Sequence, residues 1–296
     1  MKEYAYQTTA MGSEVSVSFV CTQESDALKA QQYALTTIRQ YEACFSRFIP
    51  KSELSVLNTQ KNLCVSDIFY EVFVQAMTLA EQTDYCFNPL LQIHQLGYTH
   101  TFTELSKQTN HINTVPYDID TSTIEANPIT RQITLKDHQQ LDFGGILKGF
   151  LSEKITKQIQ SDHPDFQGII INLGGDLHTK GVDEDGATFV FSIYNPITKQ
   201  EHEFPLHNQS LATSGTYKRT WQTNAKTHHH ILDKTGTANA KTSILSASVI
   251  GTNGALCEAY TKVLINKQLD QAIPLLTKQN LHFFVVDTQG NITTNL

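Results

Sequence analysis

Three glycine-bearing signatures recur in order along this chain. They are Leu141-Asp142-Phe143-Gly144-Gly145-Ile146-Leu147-Lys148-Gly149, then Ile171-Asn172-Leu173-Gly174-Gly175-Asp176, then Ala212-Thr213-Ser214-Gly215-Thr216-Tyr217. Each places glycine where an apolar strand is expected to stop, with a polar residue beside it. Glycine admits positive φ there and lets a backbone come close to a ligand. One such site is an ordinary turn. Three of them, carrying Lys148, Asp142, Asp176 and Ser214, point to one phosphate-bearing ligand held by several loops.

The first signature is the most specific. Residues 134–143 are expected to contain a strand, and residues 146–159 have helical spacing at Ile146, Phe150, Leu151, Ile155 and Ile159. Gly144-Gly145 would then join strand to helix. A helix N-terminus favours anions, and Lys148 adds positive charge in the first turn. The pattern is neither a P-loop nor a dinucleotide-binding Gly-x-Gly-x-x-Gly. Taken alone, the same residues also suit a plain strand–helix connection with a snorkelling lysine.

The 296 residues, 40% of them hydrophobic, suffice for one large domain or two intimate lobes. The net charge of −7 and the lack of any Lys/Arg run argue against nucleic acid as a partner. No segment approaches the ~20 apolar residues of a membrane-spanning helix. Residues 1–11 lack the apolar stretch of a signal peptide. The chain therefore reads as cytoplasmic, as would a chain from which a leader had been removed. Five widely spaced cysteines, Cys21, Cys44, Cys64, Cys86 and Cys257, argue against both a disulfide scaffold and a zinc site.

Along the chain, residues 15–20 alternate as an opening strand, and residues 26–45 form an amphipathic helix with Ala27, Ala30, Ala34, Ile38, Tyr41 and Phe45 on one stripe. Residues 45–58 read as a polar loop. Ser66 caps a second helix reaching Gln82. Residues 97–130 read as turns and irregular structure. Strands are expected at 168–172, 188–193, 243–251 and 281–287, and a helix at 253–266. Without regular βαβ alternation, α+β is favoured over a doubly wound sheet.

With these signatures in order, the chain resembles the FAD:protein FMN transferase family, the ApbE-like flavin transferases, from about Met11 to Asp287. The resemblance is carried by Met11-Gly12-Ser13, Phe45-Ser46-Arg47-Phe48 with Ser52-Glu53-Leu54, Phe87-Asn88-Pro89, the three signatures above, and His230-Ile231-Leu232-Asp233-Lys234-Thr235-Gly236. It implies a T-fold-related, two-lobed α+β architecture with mixed sheets flanked by helices and FAD between the lobes. It also implies a magnesium-dependent transferase that cleaves FAD, attaches FMN through a phosphoester to a Thr or Ser of a target flavoprotein, and releases AMP. An FAD diphosphatase and a non-catalytic flavin-binding protein are the alternatives.

Residue by residue, the resemblance implies flavin packing by Met11 and FAD contacts from Cys86, Phe87, Asn88, Asp142, Lys148, Gly174, Asp176, Ser214 and Leu232. Gly145 would offer a carbonyl to magnesium, and His230 with Asp233 would supply the base. The family's metal motif, Asp-x-x-x-Thr, aligns with Cys257 to Thr261 and so lacks its aspartate. Thiolate is a poor ligand for a hard cation. Glu258, about 100° round the helix, is one substitute ligand beside Thr261; the alternative is weaker metal binding through Gly145, Thr261, phosphate and water. Asn88 stands where the family has aspartate. Of the run His228-His229-His230, His228 reads as surface. Trp221 has no role in this reading.

Overall fold

The structure is a computed structural model that describes residues 1–96, 118–223 and 226–296. These residues divide into two compact units, each assembled from separated stretches of chain.

The first unit comprises Met1–Gln40, Ile146–Ser214 and Ser243–Leu296. Its frame is an eight-stranded sheet in the order β1 (Lys2–Ala10), β2 (Ser13–Cys21), β6 (Gly168–Leu173), β7 (Asp176–Gly181), β10 (Ser210–Gly215), β13 (Ile244–Gly251), β14 (His282–Asp287) and β15 (Ile292–Thr294). β2 is buried from Val17 to Cys21 and at Val15, and its partner β6 supplies Ile169, Ile171 and Leu173. β8 (Phe189–Tyr194) and β9 (Glu201–Leu206) form a separate hairpin.

Helix α4 (Leu147–Asp162) packs on β6 and β7, and α5 (Gly254–Asn266) packs on β13 and β7. These two helices also pack on each other. Their crossing explains Gly149 of the first signature. A Cβ on Gly149 would stand 2.2 Å from the Gly254 carbonyl oxygen, and one on Gly254 would stand 2.1 Å from that of Gly149. The pair lets the two backbones touch. α6 (Leu269–Lys278) packs on β14.

The second unit comprises Tyr41–Gly145 and Gly215–Thr242. It contains the last turn of α1 (Glu24–Phe45), then α2 (Glu53–Gln60), β3 (Asn62–Cys64), α3 (Asp67–Gln82), β4 (Glu125–Asn127), β5 (Gln132–Thr134), β11 (Thr220–Thr223) and β12 (Lys226–His229). Its centre is aromatic. Phe45 stacks on Phe69 at 5.1 Å, and Phe143 meets both edge-on at 5.5 Å. Such pairs each contribute about 0.5–1.5 kcal/mol beyond their buried area. α3 buries Phe69, Val72, Phe73, Ala76, Leu79 and Ala80, and the Ser66 side chain accepts from the Phe69 N–H.

The α+β reading agrees with the fold, and the expected helices at 26–45, 66–82, 146–159 and 253–266 are present with ends that agree within three residues. Four local expectations differ. The strand expected at 134–143 ends at Thr134. Beyond it the chain runs as a loop tied by Leu135 N–H to Lys61 O, Asn58 to both backbone groups of Leu141, and Asp142 N–H to Pro89 O. The expected loop at 45–58 holds α2, whose N-cap Ser52 accepts from the Ser55 N–H. The polar opening stretch is β1, paired with β2 over its whole length. Of the segment read as irregular, residues 97–117 lie outside the described residues, and Glu125–Asn127 is instead strand β4, paired with β5.

Candidate active site

In the first unit, sheet topology gathers the signatures at one end. The β1–β2 hairpin turns at Met11 and Gly12 with φ of 51° and 66°. This is the double positive-φ requirement of a tight two-residue hairpin, which a methionine meets only under strain. The β6–β7 hairpin turns at Gly174 and Gly175, with Leu173 opposite Asp176. Because Val15 of β2 faces Leu173 of β6, the two tips lie side by side. A Cβ on Gly174 would stand 2.7 Å from that of Ser13.

Asp176, buried, forms an ion pair with the half-buried Lys148, and the other Asp176 oxygen accepts from the Thr213 N–H at 3.2 Å. The second and third signatures are thus tied to the first turn of α4. No side chain caps that turn. Its Gly149 N–H donates instead to Glu258 Oε2 at 2.9 Å. Lys262, one turn on along α5, donates to the Glu258 carbonyl at 2.9 Å and stands 3.8 Å from Oε1. Burial, then the nearby Asp176, pushes the Glu258 carboxyl above the usual carboxylate range. Burial pulls the Lys262 ammonium below the usual lysine range, against the opposing pull of Glu258 and Asp176.

These donors do not fit a dedicated magnesium cage, which needs about six oxygens in near-octahedral array at about 2.1 Å. The Thr261 hydroxyl is fully buried, donates to Glu258 O at 2.6 Å and shares a 2.7 Å hydrogen bond with Ser214 Oγ. Its single proton is spent on the carbonyl, so Ser214 is the donor. Cys257 points into the core. Its sulfur stands 3.9 Å from Ser210 O and would lie 3.2 Å from a Cβ on Gly251. Burial holds its thiol well above the usual cysteine range. Glu258 is engaged by an N–H and an ammonium group. Among the described residues no cluster of three His, Cys, Asp or Glu side chains is placed to share an ion.

In the second unit, Asp142 shapes the turn that carries Gly145. Its Oδ1 accepts from the Gly144 N–H at 2.7 Å, and its Oδ2 receives Arg47 Nη1 at 2.5 Å. His94 is near enough to feel both charges, while its burial lowers its pKa first. Cys86, Phe87 and Asn88 are all buried. Asn88 accepts from Leu90 N–H at 2.8 Å and donates its amide to Ile119 O at 3.0 Å. The donor is the physical reason for an amide at this position, since a carboxylate would leave that carbonyl unmatched.

The histidine run is distributed differently from the expectation. His228 is buried, not on the surface. Its Nε2 meets Thr223 Oγ1 at 2.7 Å, its Nδ1 meets Asn239 Oδ1 at 3.0 Å, and its ring stacks on Trp221. Trp221 in turn donates to Leu96 O and packs with Leu232. His229 Nδ1 accepts from Ile231 N–H, and burial lowers its pKa. His230 follows the end of β12 and is partly exposed. Asp233 accepts from the Thr235 hydroxyl and closes the turn to Gly236.

Sequence reasoning passed over Arg47 and Lys262. Arg47 lay in a motif quoted for its aromatics. Lys262 stands four residues after Glu258, the spacing of a helical acid–base pair, which was the available signal.

A family model described as the ApbE family matches residues 11–285. An FAD:protein FMN transferase of Klebsiella pneumoniae (strain 342) is 22% identical over 293 residues, covering 93% of this chain and 86% of the relative. The apo structure of the Pseudomonas stutzeri flavinyl transferase ApbE superposes with a TM-score of 0.80 at 16% identity, over 99% of this chain and 94% of that one. The flavin transferase ApbE from Vibrio cholerae gives 0.78 at 16% identity, over 99% and 96%. At such identities the structural likeness speaks for the fold, and the family model speaks for descent. The chain belongs to the ApbE family.

Proposed function

We propose that this chain is an FAD:protein FMN transferase that uses FAD as its substrate and a Thr or Ser of a target flavoprotein as acceptor. The observation that carries the reading is the half-buried Lys148–Asp176 pair at the end of the sheet where the glycine turns gather. It is an oriented cation beside backbone turns, as a diphosphate requires. The name borne by the Klebsiella relative supports the same activity.

In this reading the acceptor hydroxyl oxygen bonds to the flavin-side phosphorus. The bond from that phosphorus to the bridging oxygen breaks, and AMP leaves with the electron pair. His230 takes the hydroxyl proton on its imidazole. Lys148 offsets the charge that builds on the departing phosphate, and Asp176 holds its ammonium in place. Met11 packs on the flavin. Arg47 and Asp142 hold the glycine turn in shape. Magnesium is implied by the resemblance, but the side chains of the first unit do not fit it.

The test is incubation with FAD and a candidate acceptor flavoprotein, with and without magnesium, following FMN adducts by mass and AMP by chromatography. Adduct with AMP supports transfer. Free FMN with AMP makes water the acceptor and replaces transfer by hydrolysis. Absence of AMP in every condition refutes both.

A further inference from the structure

α5 is buried over nearly its whole circumference, with Cys257, Ala259, Tyr260, Val263, Leu264 and Ile265 all in the core. A lysine on such a helix is costly unless its charge is matched. Lys262 is matched by the carbonyl and carboxylate of Glu258. It also feels Asp176 and Lys148, so it belongs to the group already assembled around the first turn of α4. That group contains two ammonium groups and two carboxylates, and its formal charge is zero.

Each carboxylate is also held by backbone. Asp176 receives the Thr213 N–H and Glu258 receives the Gly149 N–H. The carboxylates are thereby fixed as counter-ions to the lysines. The lysine side chains stay 18% and 15% exposed, against 4% for each carboxylate. The reachable charge of the group is therefore positive. A divalent cation brought to Glu258 would have to sit beside both ammonium groups, which repel it.

We propose that Lys148 and Lys262 together form a built-in dication for the substrate's diphosphate, so that FAD binding by this chain requires no divalent metal. The proposal rests on the functional reading above and names which side chains supply the charge at that site. Two ammonium groups match the two negative charges of a diphosphate diester. Glu258 and Asp176 serve as positioning residues.

The test is FAD affinity, measured by flavin fluorescence on the full chain in EDTA and in millimolar magnesium. The parent is expected to bind equally well in both. Lys262→Met, which keeps the length and removes the charge, is expected to weaken FAD binding in EDTA by roughly 10- to 100-fold, the range for loss of a charge-assisted hydrogen bond. FMN, with one phosphate, should weaken less. Lys262→Arg should retain metal-free binding, and it keeps the test open if the methionine variant fails to fold. FAD affinity at least tenfold weaker in EDTA than in magnesium overturns the proposal, as does parental affinity in a folded Lys262→Met. Failure to bind FAD under any condition overturns the functional reading itself.

Discussion

His230 carries the sharpest residue-scale consequence of the proposed chemistry. A Thr hydroxyl is a weak nucleophile near neutral pH, and a positioned base contributes roughly 10²–10⁴-fold. His230→Ala should lose about that factor in FMN transfer while FAD affinity changes little, as read by single-turnover adduct formation beside a binding titration. Near-parental transfer in this variant, with loss in Asp233→Ala, would move the base to the carboxylate. The neighbours in the run are differently employed. His228 is locked between Thr223 and Asn239 against Trp221, so His228→Ala should act through stability and not through rate alone. Nothing in a run of three identical residues distinguishes these roles. They are separated by the alternation of β12, which turns His228 inward.

At the scale of elements, helix α5 shows how far a pattern can be carried. Its spacing located the helix. Its rotation is not legible in the pattern, because an almost wholly buried helix has no polar stripe to orient it. The structure turns Cys257 to the core and Glu258 toward α4. Cys257→Asp is therefore expected to bury a carboxylate against Ser210 O and the sheet. It should cost at least about 3 kcal/mol of stability without lowering any magnesium requirement. Chemical denaturation and a metal titration of the purified variant check both parts.

Elsewhere the legible elements were those with a strong stripe, such as α3. α2 was hidden because only Leu54 and Leu57 of its eight residues are buried. The misplaced strand at 134–143 arose because Leu135, Leu141 and Phe143 alternate and are all buried. That burial comes from a loop drawn in by side-chain and backbone bonds, a signal that periodicity cannot distinguish from a ladder.

For the whole molecule, stability in acid should depend on His178, which joins β7 to β10 through a 2.7 Å hydrogen bond from Nδ1 to Ser210 Oγ. Burial lowers its pKa from 6.5 to about 4, with Glu153 opposing and Lys157 and Lys180 assisting. The unfolded chain therefore binds this proton more readily than the folded one. Its contribution is fully present above pH 6.5 and is lost as pH falls toward 4, a difference of roughly 3 kcal/mol. His178→Gln keeps a partner for Ser210 and should remove much of that dependence, seen as closer urea midpoints at pH 7.5 and pH 5. Of the candidate site, the Lys148–Asp176 pair and Ser214 were legible, since all three stand within the glycine signatures. Its charge balance was not, because Glu258 and Lys262 reach it only through the crossing of α4 and α5 at Gly149 and Gly254.

The interleaving of the two units has a consequence for inheritance. The chain passes between them four times, at 40/41, 145/146, 214/215 and 242/243. Two of these crossings fall inside the first and third glycine signatures. An exchange of one unit for that of a relative, whether by recombination or by design, would have to cut through those signatures. The two units are therefore bound to be passed on together, and a graft that respects the unit boundaries should be repaired first at Gly144–Leu147 and Thr213–Thr216.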